Sequence, residues 1–302
     1  MTQNPHPNPF PAYRERGSDT RDALVFLSPW IIGFVLFTAG PIIASLVLSF
    51  CRWDVISPAK WIGLANYRQM FHDRLLVVSL VNTLAYAAMF IPGSIVLSLA
   101  LAMLLNQRLP GMRLFRTIFY LPTLTQGVAT FTLWSVALDE QNGLINRALR
   151  HVVRDPPGWL TDPTWAKVAL VLVALWSVGG MMLIFLAGLQ NVPSQLYEAA
   201  SIDGAGAVRR FLNITLPMLS PTIFLNMIVA TIGAFQVFAA AYILTNGGPA
   251  RSTLFYAYYL FNRAFVYFNM GYASAMAWLL FLIILLLTVL QLHYSRKWVH
   301  YG

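Results

Sequence analysis

The sequence predicts an all-α polytopic membrane protein with six membrane-crossing helices. Three observations carry that prediction. Of the 302 residues, 58% are hydrophobic and only 10% are charged, where a soluble domain holds about 25% charge. Six apolar segments reach the roughly 20 residues that a helix needs to cross a bilayer. Polar stretches rich in turn-forming residues separate them. The net charge of +9 raises nucleic acid as a partner. The cations are scattered between apolar runs and form no dense patch, so no nucleic-acid partner is expected. The single cysteine, Cys51, excludes an internal disulfide and a cysteine-based zinc cluster.

Residues 1–23 are rich in proline and polar side chains and predict a disordered tail. The first apolar run is too long for a signal peptide and lacks a small-residue cleavage site, so it is expected to stay in the membrane. That first span is Leu24 to Phe50, with Pro29 and Pro41 inside it. The second is Leu75 to Leu105, with Pro92-Gly93 at its middle. The third is Thr117 to Leu138, containing Pro122 and Gly127, and the fourth is Val168 to Leu189, containing Gly179-Gly180. The fifth is Met218 to Thr245 and the sixth Gly271 to His293. Prolines and glycines are common in membrane helices, and the backbone groups they free need partners. Such kinks fit a protein that rearranges and equally fit static packing.

Between the fourth and fifth spans the chain turns polar. Pro193 to Pro221 carries Glu198, Asp203, Arg209 and Arg210. Ser194 is placed to N-cap a short helix and Gly204 to end it after Asp203. Ala205 to Asn213 predicts a second short helix, and Leu216-Pro217 opens the next apolar segment. The small side chains of Ala199, Ala200, Gly204, Ala205 and Gly206 leave room for close contact with another protein.

This stretch resembles the EAA loop of ABC-importer permeases: Glu-Ala-Ala, two residues, Asp-Gly-Ala, then Ile-x-Leu-Pro further on. Glu198, Ala199, Ala200, Asp203, Gly204, Ala205, Ile214, Leu216 and Pro217 match it without departure. A second stretch narrows the resemblance to the sugar and glycerol-phosphate class, in particular its maltose-type first permease subunit. It comprises Leu244, Thr245, Gly247, Gly248, Pro249 and Thr253, an aromatic run from Tyr256 to Phe268, then Gly271, Ala273 and Ala275. The resemblance covers essentially Leu24 to the C-terminus. It implies the type I importer permease fold in residues 24–298, in the bacterial plasma (inner) membrane. Residues 193–217 would couple to the ATPase by docking into a cleft of the ATP-binding subunit, with Glu198 against a basic residue there. It also implies a second permease subunit, two ATP-binding subunits and an extracytoplasmic solute-binding protein. ATP and Mg would be bound by the ATPase, with no cofactor on this chain.

Orientation rests on this resemblance too. With both termini inside, ten of the 20 Lys and Arg fall on the inner side and ten on the outer, so the positive-inside rule does not decide. The coupling loop has to face the cytoplasm, which puts both termini there. Three outer loops follow. The first holds Trp53, Trp61 and Tyr67. The second has a turn at Asn142-Gly143 and a short helix before Pro156-Pro157. The third begins at Asn246-Gly247-Gly248-Pro249, which breaks the fifth helix.

The chemistry of an enzyme is missing from the sequence. There is no GxxxxGK[ST] loop, and none of the three lysines follows a glycine. The five histidines lack metal-ligand spacing. Asp139-Glu140 reads as a solvated cap rather than an acid–base pair. Apart from Lys167 at a boundary, the spans carry no Asp, Glu, Lys or Arg, whereas ion-coupled carriers keep such residues in the membrane. A passive pathway for a neutral, hydroxyl-rich solute is the expectation. Its candidate lining is Asn226, Gly233, Gln236 and Tyr242 on the fifth helix, Trp176 and Gly180 on the fourth, and Asn82 on the second. Each polar candidate is equally a helix–helix hydrogen bonder, a contact worth about 0.6–2 kcal/mol in membranes. A permease for peptides or phosphate and a stand-alone secondary carrier are the alternatives.

Overall fold

The computed structural model describes residues 19–107, 109–125 and 127–299. The tail through residue 18, with Arg14 and Arg16, and also Arg108, lies outside the described residues. The chain divides into residues 1–47 and 48–302. In the first unit, α1 (Asp19–Phe34) continues through a π-helical turn, Val35–Ala39, into α2 (Gly40–Ser49). The helix therefore starts at Asp19, inside the predicted disordered tail, as a polar first turn on the apolar run. The Gly40 N–H reaches back to Val35 O, a widened turn set directly before Pro41, which has no N–H to give.

The second unit opens with a two-residue antiparallel ladder, β1 (Cys51–Arg52) against β2 (Lys60–Trp61), and a short helix α3 (Ala65–Met70). Its centre is α4 (Arg74–Leu105), 32 residues without a break. Asp73 caps it, accepting from Leu75 N at 2.9 Å and Leu76 N at 3.3 Å. The buried positions Ser79, Asn82, Thr83, Tyr86, Ala87, Ser94, Ser98 and Ala102 recur at helical spacing. Most are small, and small side chains let neighbouring backbones approach closely in a membrane. Around α4 pack α8 (Pro163–Leu175), α9 (Gly179–Gln190), α13 (Ser220–Phe235) and α14 (Tyr256–Phe261).

The predicted spans divide differently in the structure. Among the described residues, Ala23–Ser49, Arg74–Leu105 and Met270–Ser295 are by length and composition apolar enough to cross a membrane, and two bent pairs bring such spans to five. The predicted third span, Thr117 to Leu138, is two helices, α5 (Met112–Leu124) and α6 (Val128–Ala137), with Gly127 extended between them. The fourth is α8 and α9, bent by 51°. Its bend lies at Trp176–Val178, and the Cβ of a residue at 179 would come within 2.4 Å of Phe119 O. Only glycine permits that approach. The fifth ends early, at Phe235. Pro92, by contrast, sits inside the unbroken α4.

At the end of α4 away from residues 193–217, the third loop folds back onto it. After a π-helical turn, Ala241–Thr245, Thr253 is fully buried and donates to Gly248 O at 2.6 Å. Asn82 donates to Arg251 O at 2.8 Å and Leu254 O at 3.2 Å, and Tyr256 N donates to Thr83 Oγ1 at 2.9 Å. A second π-helical turn, Asn262–Val266, then leads to α15 (Met270–Ser295). Asp73 ties these pieces together. Its Oδ2 accepts from Tyr259 Oη at 2.6 Å, Tyr272 Oη at 2.7 Å and Arg263 Nη2 at 3.1 Å. Burial works against the charge on Asp73, but the two phenols, the Leu76 N–H and the Arg263 guanidinium outweigh it and hold the carboxyl below its ordinary value.

A depressed folded-state value means that the stabilisation is complete above the unfolded carboxylate pKa and is lost as pH falls through the folded one. Asp73→Asn should therefore cost about 2 kcal/mol, less than a fully buried pair because Arg263 keeps 24% side-chain exposure. The loss should be flat between about pH 6 and 8 and shrink below about pH 4. Thermal unfolding of the purified chain in detergent across that range checks this; an Asn variant as stable as the parent at neutral pH contradicts it.

Candidate functional site

The coupling-loop candidate forms a helical hairpin. Its first arm is α10 (Ser194–Ile202). Pro193, not Ser194, occupies the N-cap position, and no side chain caps the helix. Proline's fixed φ suits that position and leaves Ser194 as the first helical residue. The C-terminus obeys the prediction in detail. Gly204 has φ +74°, Gly204 N donates to Ser201 O at 3.1 Å, and Ala205 N donates to Ala200 O at 2.8 Å. This is a complete Schellman closure. It gives Ala200, Asp203, Gly204 and Ala205 of the motif one shared backbone role. A Cβ at 204 would meet nothing within 4 Å, so the backbone angle, not packing, requires glycine there.

The second arm, predicted at Ala205 to Asn213, starts at α11 (Ala207–Arg210) and runs through a π-helical turn, Phe211–Thr215, into α12 (Leu216–Met218). It meets α13 at a 67° bend. Two contacts lock the arms together: Arg210 Nη1 donates to Ser201 Oγ at 2.9 Å, and Tyr197 Oη meets Thr215 Oγ1 at 3.0 Å. Glu198 and Ala199 stay exposed beside Ile202 and Val208. Glu198 makes no ion pair, since Asp73–Arg263 is the one pair among the described residues. Ile214, Leu216 and Pro217 are half-buried at the base.

A cavity of about 700 Å³ opens where the helix breaks converge. The α5–α6 break contributes Thr123, Thr130 and Phe131, and the α8–α9 bend contributes Trp176, Ser177 and Gly180. The end of α13 contributes Gly233 and Gln236, and α4 contributes Tyr86 and Phe90. Among the described residues, no Asp, Glu, Lys, Arg or His lines it. Gln236 is exposed, and a Cβ at Gly233 would meet only open space. Trp176, 47% exposed, meets Trp134 edge-on at 5.6 Å.

Trp176, Gly180, Gly233 and Gln236 are thus brought together, and three other candidates are not. Asn82 is spent on the third loop. Asn226 is fully buried at the α9–α13 crossing, with Nδ2 3.5 Å from Met181 O and Oδ1 unpartnered. Tyr242 stacks on Phe238 at 5.6 Å, outside the lining. Thr123, Thr130 and Phe131 escape sequence reading because a helix break in the middle of an apolar run turns them inward. Asp139 accepts from Asn142 N at 2.7 Å, and Glu140 Oε2 accepts from Thr161 Oγ1 at 2.5 Å. The adjacent carboxylates are loop caps, as their sequence suggests.

Gly204→Val should open the Schellman closure at a cost of about 1 kcal/mol or more, and Gly204→Asn should cost less, because asparagine tolerates the left-handed region. Limited proteolysis between Ile202 and Val208 reads this out. Equal cleavage rates for the Val variant and the parent chain would refute it.

Comparison with known proteins places this geometry. Residues 94–300 match the family described as binding-protein-dependent transport system inner membrane component. The chain is 45% identical over 288 residues to the probable ABC transporter permease protein YesP of Bacillus subtilis, covering 94% of this chain and 93% of that protein. It is 35% identical over 282 residues to the lactose transport system permease protein LacF of Rhizobium radiobacter, covering 90% and 93%. A chain of the bacterial alginate ABC transporter, solved with an alginate pentasaccharide-bound periplasmic protein, superposes with a TM-score of 0.81 at 23% identity, covering 94% of this chain and 97% of its own; that likeness concerns the fold. The chain therefore belongs to the binding-protein-dependent transport system inner membrane components, as a multi-pass permease subunit of an ABC transporter and not an enzyme.

Proposed function

We propose that this permease forms half of the pathway by which an ATP-driven importer carries a neutral sugar. The observation that carries this is the 700 Å³ cavity, in whose lining no Asp, Glu, Lys, Arg or His occurs among the described residues. Aromatic surfaces and a few hydrogen-bonding groups suit a hydroxyl-rich ring. An anion such as a glycerol phosphate or phosphate would need a cation there. Among relatives, the lactose permease favours the first chemistry, and a sn-glycerol-3-phosphate permease 33% identical over 283 residues is named for the second; the uncharged lining supports the sugar. Gln236 supplies the amide, and Trp176 the flat apolar face.

The other half of the pathway belongs to a second permease, with a solute-binding protein delivering cargo from outside. Two ATP-binding subunits, which hold ATP and Mg, meet α10 on the cytoplasmic side; if α5 and α6 together make a sixth crossing, both termini of the chain lie there too. Closure of the ATPase dimer pulls on the hairpin. The pull reaches the cavity along the continuous path from α11 through α12 to α13, which has a hinge-like bend at its base. Glu198, Ala199, Ala200, Asp203, Gly204, Ala205, Ile214, Leu216 and Pro217 form the coupling element, and Trp176, Gly180, Gly233 and Gln236 the solute contact.

In the reconstituted complex, Gln236→Leu should raise the apparent KM for the sugar by roughly twofold to tenfold, the worth of one hydrogen bond. Gly233→Leu should fold normally, fill the cavity and abolish uptake. Loss of assembly in the Gln236 variant, or full uptake by the Gly233 variant, would place the pathway elsewhere.

Glu198→Lys should release the ATP-binding subunits or uncouple hydrolysis from transport while leaving capture by the binding protein intact. Removing one partner of a partly desolvated pair costs about 2–5 kcal/mol, and the reversed charge adds repulsion. Co-purification and solute-stimulated ATPase measure it; both at wild-type level would exclude Glu198 from the contact.

A further inference from the structure

A second cavity, about 970 Å³, lies at the hairpin end of the molecule, between the α4–α5 connection and the start of α10. Its polar lining is Asn106, Gln107, Arg113, Arg116, Gln190, Ser194 and Tyr197, with no Asp or Glu among the described residues. Two cations thus face one space without a counter-ion. Arg116 is fixed in place, because Nε and Nη2 donate to Leu105 O at 3.2 and 2.8 Å. The remaining guanidinium donors are uncommitted, since the group has five in all. Arg113 is exposed and forms no ion pair.

Beside the arginines the surface changes character. Leu114, Phe115 and Ile118 of α5 are exposed, so an apolar strip on α5 runs on from the cationic cavity, which Leu109 and Leu114 also line. A free phosphate would use the arginines and leave that strip bare. A molecule with an anionic head and apolar tails would cover both.

We propose that this cavity holds the phosphate of an anionic phospholipid, with the acyl chains along α5. Basic pockets between membrane helices on the cytoplasmic side bind such headgroups. That side is the one assigned to the hairpin under the proposed function. Ser194 and Tyr197, at the start of α10, line the same space. The lipid therefore sits against the coupling hairpin and braces it from the membrane side.

The test is native mass spectrometry of the full chain in non-ionic detergent, with equimolar phosphatidylglycerol and phosphatidylcholine and with inorganic phosphate as competitor. The parent chain should retain phosphatidylglycerol in preference. Arg113→Gln should lower that retention about fivefold, the worth of one cation near a lipid head, with thermal unfolding unchanged. Arg113 is the informative position, because a change at Arg116 also strips Leu105 O of its donors. Equal retention of the two lipids, or an Arg113 variant that holds phosphatidylglycerol as the parent does, overturns the proposal. Displacement by millimolar inorganic phosphate alone would make it a free-anion site and also overturn it. If the variant keeps its lipid but loses the ATP-binding subunits from the complex, the cavity belongs to that interface instead. None of these readouts depends on the sugar, so they fail or succeed separately from the transport reading.

Discussion

An unpaired backbone group inside an apolar phase costs several kcal/mol, and this chain interrupts its helices repeatedly. The structure depends on how each interruption is repaired. The repair recurs in one form: a side-chain donor reaches a carbonyl that the helix has released. Thr123 Oγ1 donates to Ser177 O at 3.3 Å where α8 turns into α9. Arg116 closes the end of α4 at Leu105 O. Asn66 donates to Ser49 O at 2.8 Å and Cys51 O at 2.9 Å after α2. Asn82 and Thr253 do the same for the third loop. These donors lie on neighbouring elements or at a distance in sequence, so each repair is also a tertiary contact.

That rule explains why the unbroken helix is the central one. α4 carries the donor Asn82 and the acceptor Thr83 near its capped end, and the acceptor Asp73 is the cap itself. A helix that repairs its neighbours' breaks has to keep its own register. Pro92 does not interrupt it, since a proline removes one hydrogen bond and the surrounding helices sustain the rest. The breaks fall instead where backbone and glycine geometry demand them: at the extended Gly127, at the bend preceding Gly179, and at Gln236, whose N–H turns back to Gly233 O at 3.2 Å.

The same physics decides what the sequence disclosed. Apolar runs located the helical segments well, because burial in lipid is a property of composition. It did not locate the breaks, because proline and glycine signal a weakened ladder without saying which neighbour supplies the missing partner. The motif of the hairpin was legible because its geometry is local: Ala200, Gly204 and Ala205 close one helix end through contacts spanning a few residues. The cavity was half legible. Gln236 and Trp176 face it, while Asn82, equally polar, is taken up by the third loop and Asn226 by the α9–α13 crossing. A side chain's type gives its chemistry, and only the packing of α4, α9 and α13 tells which face meets solvent.

The hairpin and the cavity are joined by the segment in which the breaks are most closely spaced. From Phe211 the chain passes through a π-helical turn, a three-residue helix and a 67° bend before α13 begins. The bend is pinned from outside. A Cβ at Gly188 of α9 would come within 2.7 Å of Thr222 Oγ1 and 2.9 Å of a Leu219 methyl. Leu219 is fully buried and Ser220 nearly so. A hinge packed this tightly transmits rotation rather than absorbing it, since close-packed interiors switch between arrangements instead of deforming continuously. Under the proposed function, a movement of α10 and α11 would be carried into α13 as a turn about the Gly188 contact, toward the end where Gly233 and Gln236 face the cavity. Gly188 thus links the two halves of the proposed function, the hairpin and the cavity, without lining the cavity itself.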